Sequence, residues 1–367
     1  MPLSFAEADR LYRANQLNDL TAVAAGRRFL KLRSLNRKEY LQRLFERSGV
    51  AKPEVRARAL FEAAFDSRVT TQMIEACIRE IYREERIERR RLEPDLVNQL
   101  YRVQEFNWGG LRQNNLEQTI VDNYVKRIRD YDRLCQSIDN ELLVSMRGYV
   151  ICSWYNHWTS IIIEDVFKEH PDVLPAVGLV KKIDFFIRNV PFDLKVTYLP
   201  EGYLAKERKG AGERPELTLL KQVARRRGLP IPTDLADADL LPDLWAKVED
   251  DPSEDARTVI GQLRAFRNSV VDGIAEDPTD LIRWLYENQG DRRFDAANRL
   301  FLVLVDQRNY FDSWKLKRAK PLITEEIREY LDNCGQRPGR NITFTWEGTE
   351  YRVVSDVLMV RQIAARR

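Results

Sequence analysis

Apolar positions recur at helical spacing through roughly the first 145 residues. "LNRKEYLQRLFERSG" puts Tyr40, Leu41, Leu44 and Phe45 on one stripe and ends in Gly49, a helix stop. "TTQMIEACIREIYREERIERRR" predicts a long helix with Ile74, Ile78 and Ile81 inward. "LEQTIVDNYVKRIRDYDRL" predicts another, with Leu116, Ile120, Tyr124, Ile128 and Tyr131 on its inner stripe. Between them, "FNWGGLRQNN" (106–115) reads as a Gly-broken loop whose polar side chains suit turns and caps, and are also able to reach base edges. A helical run over about 138–169 is stopped by Pro171 and Pro175.

The period then changes. "KKIDFFIRNVPFDLKVT" (181–197) reads as a tight hairpin. Residues 200–228, Gly-rich and charged, read as a mobile excursion, and 229–295 as helical pieces broken by Pro and Asp. "RLFLVLVD" (299–306) has the length and β-branching of a fully buried central strand. "PLITEEIREYLDNCG" predicts a helix with Thr324 as cap and Gly335 as stop, and "NITFTWEGTEYRVV" a hairpin turning at Glu347-Gly348. The order predicts an α+β (mixed α/β) fold: a helical N-terminal domain over 1–140, then a core sheet flanked by helices over 141–367, with a helical insertion at about 203–295.

The hairpin carries the chemistry. With Arg188-Asn189 at the centre of a two-residue turn, or of a symmetric four-residue loop, Ile187 faces Val190, Phe185 faces Phe192 and Ile183 faces Leu194 on one face. The other face sets Asp184 opposite Asp193 and Lys182 opposite Lys195. Opposed residues bring Cβ atoms to about 4.5–5.5 Å, where like charges repel. A divalent cation between the aspartates removes that repulsion; Mg²⁺ is held by one or two carboxylates plus water and phosphate oxygens. Lys195 emerges two residues beyond Asp193 on the same face, placed to orient a water. Diagonal Asp–Lys pairs on a plain charged face would also quiet the repulsion.

Composition narrows the classes. Two histidines, His157 and His170, leave HEXXH proteases and His-rich metal sites short of ligands. Four scattered cysteines without a CxxC argue against a zinc knuckle or disulfide scaffold. No Gly-rich phosphate loop is present. No apolar run approaches the ~20 residues of a bilayer span, and the N-terminus lacks a signal-peptide layout, so a cytoplasmic protein without membrane contact is expected. Net charge is only +3, yet basic residues cluster at 83–91, 206–214, 224–228 and 315–320, which suits a polyanion.

Asp184, followed nine positions on by Asp193-Leu194-Lys195, resembles the core motif of the PD-(D/E)xK nucleases, of which the type II restriction endonucleases are one branch. The resemblance covers residues 160–200, with "RLFLVLVD" as a later core strand. It implies a restriction-endonuclease-like sheet, with Asp184, Asp193 and the Leu194 carbonyl as Mg²⁺ ligands and Lys195 positioning the attacking water. An upstream helical glutamate completes that set. Glu164 in "SIIIEDVF" matches the slot, with Asp165 as its rival. Ile183 stands where the motif's proline would be, and Pro171-Asp172 is a second candidate for the first carboxylate. The implied protein is a Mg²⁺-dependent endonuclease cutting double-stranded DNA as a homodimer, in restriction or phage defence. Alternatives are a nuclease of the same fold in repair or transposition, one acting on RNA or single strands, and a non-catalytic nucleic-acid-binding protein.

Overall fold

The computed structural model describes the chain apart from residues 1–2, 15, 55, 109–115, 179, 181–182, 289–296, 336–337, 347 and 364–367. Lys182, most of the 106–115 loop and Glu347 therefore lie outside the described residues.

The front of the chain is helical: α1 (Phe5–Arg13), α2 (Leu17–Ala22), α3 (Ala24–Ser34), α4 (Lys38–Ser48), α5 (Ala57–Asp66), α6 (Thr71–Leu100), α7 (Leu116–Ile120), α8 (Tyr131–Ser137) and α9 (Leu143–Lys168). In α4 the expected stripe buries Leu41, Leu44 and Phe45, and Gly49 ends the helix at φ 65°, where glycine carries no Cβ penalty. α6 starts on the Thr70 cap and runs past the expected end, through Pro94, to Leu100. Its end is tied from outside: Arg318 Nη1 donates to Leu100 O, the last helical carbonyl, at 3.0 Å and to Val103 O just beyond it at 2.7 Å.

One expected helix fails. Residues 116–137 form α7, a π-helical turn, a break and then α8, and none of these pieces buries a residue. Tyr131, expected inward, is 76% exposed. Periodicity names a stripe, but only a neighbour buries it, and here Leu116, Ile120, Tyr124 and Ile128 are covered only in part.

The second half builds a six-stranded mixed sheet from β1 (Val173–Pro175), β2 (Phe185–Ile187), β3 (Val190–Tyr198), β4 (Arg299–Asp306), β5 (Arg340–Trp346) and β6 (Thr349–Gln362), in the order β1-β2-β3-β4-β6-β5. β3, β4 and β6 run parallel at the centre, and antiparallel pairs close both ends. As its apolar run predicts, β4 is central and buried from Leu300 to Val305. The crossover from β3 to β4 carries α10 (Glu201–Gly210), α11 (Glu216–Arg227), α12 (Asp237–Asp250), α13 (Glu254–Glu276) and α14 (Thr279–Asn288); α15 (Lys320–Asn333) follows β4. α9 and α15 cover the sheet face bearing Leu194 and Leu302, while α10, α13 and α14 cover the face bearing Phe301 and Val303.

Three further expectations are corrected. The 200–228 segment is not a mobile excursion. α10 and α11 are held by buried Arg267, whose guanidinium reaches Glu201 at 2.7 Å and Glu216 at 2.5 Å, and α11 buries Leu220 and Val223 against α12 and α13. Thr324 lies inside α15, which begins at Lys320 with Pro321 in its first turn. The 315–320 basic run is not wholly open to a polyanion: Lys317 is buried on Asn156 Oδ1 at 2.6 Å, and Arg318 caps α6. Among the described residues no helix is long and apolar enough to cross a membrane.

Candidate active site

The hairpin turns as its sequence asks. Arg188 and Asn189 both adopt positive φ, 46° and 76°, the two-residue turn whose twist matches its strands. Phe185 pairs with Phe192 and Ile187 with Val190. The faces differ from expectation. Phe186 lies opposite Pro191, so the second face is apolar near the turn, and Ile183 joins Phe186 in the core of the front helices instead of meeting Leu194. Charge is thus confined to the end away from the turn.

Asp184 sits just outside β2. Its N–H still donates to Phe192 O at 2.8 Å, and its carbonyl accepts from Ala176 N–H at 3.0 Å. The strands then part, and the Leu194 N–H donates to Asp184 Oδ2 at 2.7 Å. A side chain has replaced a ladder carbonyl, which fixes this carboxylate at the fork between β2 and β3. The Leu194 carbonyl shares the edge of its own N–H and faces the same fork.

Asp193 and Lys195 are positioned from the opposite edge of β3. Parallel pairing sets Asp193 beside Arg299 and Lys195 beside Phe301, on the face covered by α14. Asp193 is buried; its Oδ1 accepts from Lys195 Nζ at 2.8 Å, and Arg299 Nε lies 3.6 Å from Oδ2. Lys195 keeps 47% of its side chain exposed. Asn298 fixes this register: its carbonyl accepts from Asp193 N–H at 2.9 Å, its Nδ2 donates to Pro191 O at 3.2 Å, and its Oδ1 accepts from Val354 N–H at 2.8 Å.

Glu164 and Asp165 part company on α9. Asp165 is buried toward α6, accepting from Arg89 Nε and Nη2 at 2.9 Å each and from the Tyr82 hydroxyl at 3.0 Å. Glu164 pairs with Lys168 at 2.8 Å, and its charge acts on Asp184. Breaking a buried pair strands the partner's charge, so Asp165→Asn is expected to destabilise the protein by about 3 kcal/mol. Glu164→Gln should stay within about 1 kcal/mol of wild type in a denaturant melt.

Burial pushes the Asp184 carboxyl up to about 6, and the negative charges of Glu164 and Asp193 add to it; the Leu194 N–H and Lys168 pull the other way. Glu164, on the α9 side of the sheet, and Asp193, on the α14 side, thus both act on one carboxylate at the fork. Among the described residues no group of three or more His, Cys, Asp or Glu is set to hold a metal ion. Asp193 is met by Lys195 and Arg299 and Glu164 by Lys168, which leaves Asp184 as the carboxylate of this set with no ion pair among the described residues.

Asp172 is not brought to this place. It lies beside the hairpin turn, its carboxylate 2.7 Å from Arg188 Nη2, at the other end of β1 and β2 from Asp184. Sequence reasoning missed Lys168, Arg299 and Asn298. Lys168 carried a readable signal, four residues after Glu164 on one helix face; Arg299 and Asn298 need the β3–β4 register. Comparison of the chain with protein-family models, with curated proteins and with solved structures finds no match.

Proposed function

We propose that the chain is a Mg²⁺-dependent DNA endonuclease of the PD-(D/E)xK type, acting in restriction or phage defence. One observation carries this reading: the Asp184 carboxylate, held by the Leu194 N–H at 2.7 Å, and Asp193, with the Lys195 ammonium 2.8 Å away, stand on either side of a strand fork. Asp184, Asp193 and the Leu194 carbonyl would hold the cation, and Glu164 would complete its shell or take a proton through water. Bound Mg²⁺ supplies an acidified water and offsets charge developing on the phosphorane. Lys195, half in solvent, orients the attacking water and steadies negative charge. Lys168 holds Glu164 in place from one helical turn away.

Full-length protein incubated with supercoiled plasmid should cut in Mg²⁺ and not in EDTA. Discrete fragments would mark sequence-specific restriction, and a smear a nonspecific nuclease. Cutting of RNA or single strands alone would move the activity to the alternative substrates. No cutting of any of these would leave the Asp193–Lys195–Arg299 contacts as a plain ion-paired face and sink the proposal. Cleavage of both strands at a palindrome calls for a two-fold dimer. Light scattering is then expected to give about twice the mass of one chain, and a monomer that still cuts both strands in one encounter would remove the dimer.

A further inference from the structure

The "REERIERRR" stretch is only partly absorbed by ion pairs inside the fold. Arg79, Arg83, Arg86 and Arg90, at steps of four, three and four, share one face of α6. With Lys168 at the end of α9 and Arg328 on α15 they line a cleft of about 590 Å³ in which Glu169 is the one carboxylate. Their charges are met unevenly: buried Arg86 pairs with Glu93, with Asp165 at 3.5 Å and with Glu169, while the others are less well compensated. Arg79 donates to neutral carbonyls, Val173 O at 2.9 Å and Pro171 O at 3.0 Å. Arg86 and Arg90 share Glu169 at 2.7 and 3.1 Å. The Arg86 side chain is 7% exposed, and its Nη1 is buried with no hydrogen-bond partner among the described residues. Exposed Arg83 and Arg328 form no ion pair among the described residues.

Resting on the nuclease reading, we propose that this cleft binds consecutive backbone phosphates of the nucleic-acid strand whose scissile bond lies at the Asp184–Asp193 fork. Three observations favour a strand over a small anion. From Arg79 to Arg90 the helix rises about 16 Å, which is the rise of about five nucleotides in one strand of a duplex. The cleft also ends at neighbours of the fork: Lys168 lines it and binds Glu164 at 2.8 Å, and Pro175 lines it and pairs with Phe185, the neighbour of Asp184. Lastly, Ile87 is 69% exposed among the guanidiniums, an apolar surface suited to a sugar face between phosphates.

The test is binding of a short labelled duplex by full-length protein in EDTA, followed by anisotropy across a KCl series. The variant is Arg83→Ala with Arg328→Ala, both exposed and without an ion pair among the described residues. The control removes equal charge elsewhere, at exposed Arg127 and Arg225. The cleft variant is expected to lose about tenfold in affinity and to flatten the log–log salt slope by nearly two, about 0.9 per lost phosphate contact. The control should change far less. Equal losses in the two variants, while wild type binds and cuts, would overturn the cleft and spare the nuclease. Wild type that binds through the cleft but never cuts in Mg²⁺ would overturn the nuclease reading alone. Neither binding nor cutting removes both, and displacement of the duplex by equimolar polyglutamate would mark the cleft as a reader of acidic protein and overturn the assignment.

Discussion

Asp193→Asn is expected to slow plasmid cleavage in Mg²⁺ by about a thousandfold or more, the equivalent of about 4 kcal/mol of transition-state stabilisation. The substitution keeps the side-chain shape and leaves the backbone bond to Asn298 untouched. It removes the charge that faces both the fork and Lys195. Folding should suffer little by comparison. Lys195 is half exposed, and Arg299, 3.6 Å from Asp193, also stacks its guanidinium 5.0 Å from the Tyr286 ring centroid. A melt shifted by about 1–2 kcal/mol beside near-complete loss of cutting separates a catalytic carboxylate from a structural one. Retained cutting by a folded variant would remove Asp193 from the chemistry.

Asp184→Asn should do the opposite to stability. Asp184 titrates at about 6 in the folded chain against an ordinary 3.8, so the native state binds its proton more tightly than the unfolded state. Below about pH 4 both states hold the proton and no penalty applies. As pH rises from about 4 to about 6 the unfolded chain ionises first and stability falls; above about 6 the loss is complete, on the order of 3 kcal/mol. Asparagine can still accept the Leu194 N–H but carries no charge. Metal-free Asp184→Asn is therefore expected to melt above wild type at pH 8 and level with it at pH 4, while cutting is lost. Added Mg²⁺ should raise the wild-type melt and narrow that gap, since a ligand of the native state stabilises it by mass action. A variant less stable than wild type at pH 8 would show that the carboxylate is well compensated and needs no cation.

Much of this was legible in the sequence because period and turn chemistry are local. The α4 stripe, the buried β4 run and the Arg188-Asn189 turn all stand where the pattern puts them. The pairing of Phe185 with Phe192 follows from that turn alone. What failed depended on neighbours. The 200–228 segment became two helices because Arg267, some forty residues on, ties them down. The 116–137 stripe is only half covered, and its helix breaks. Asp184 did not simply face Asp193 across a ladder; the strands part there, and a side chain took over a backbone role. Helical phase separates Glu164 from Asp165: Asp165 turns to α6, while Glu164 pairs with Lys168 and its charge acts on Asp184.

α6 is fastened along its length: Asp165 grips Arg89, Glu169 grips Arg86, and Arg318 closes its last turn. The same α9 that supplies Asp165 also presents Glu164 to the fork. A strand gripped by this helix would therefore meet the proposed catalytic carboxylates at a set distance, as against a stop on a ruler. In a nuclease built this way the offset between grip and nick is stiff, and products should end at one constant position relative to the protein's footprint.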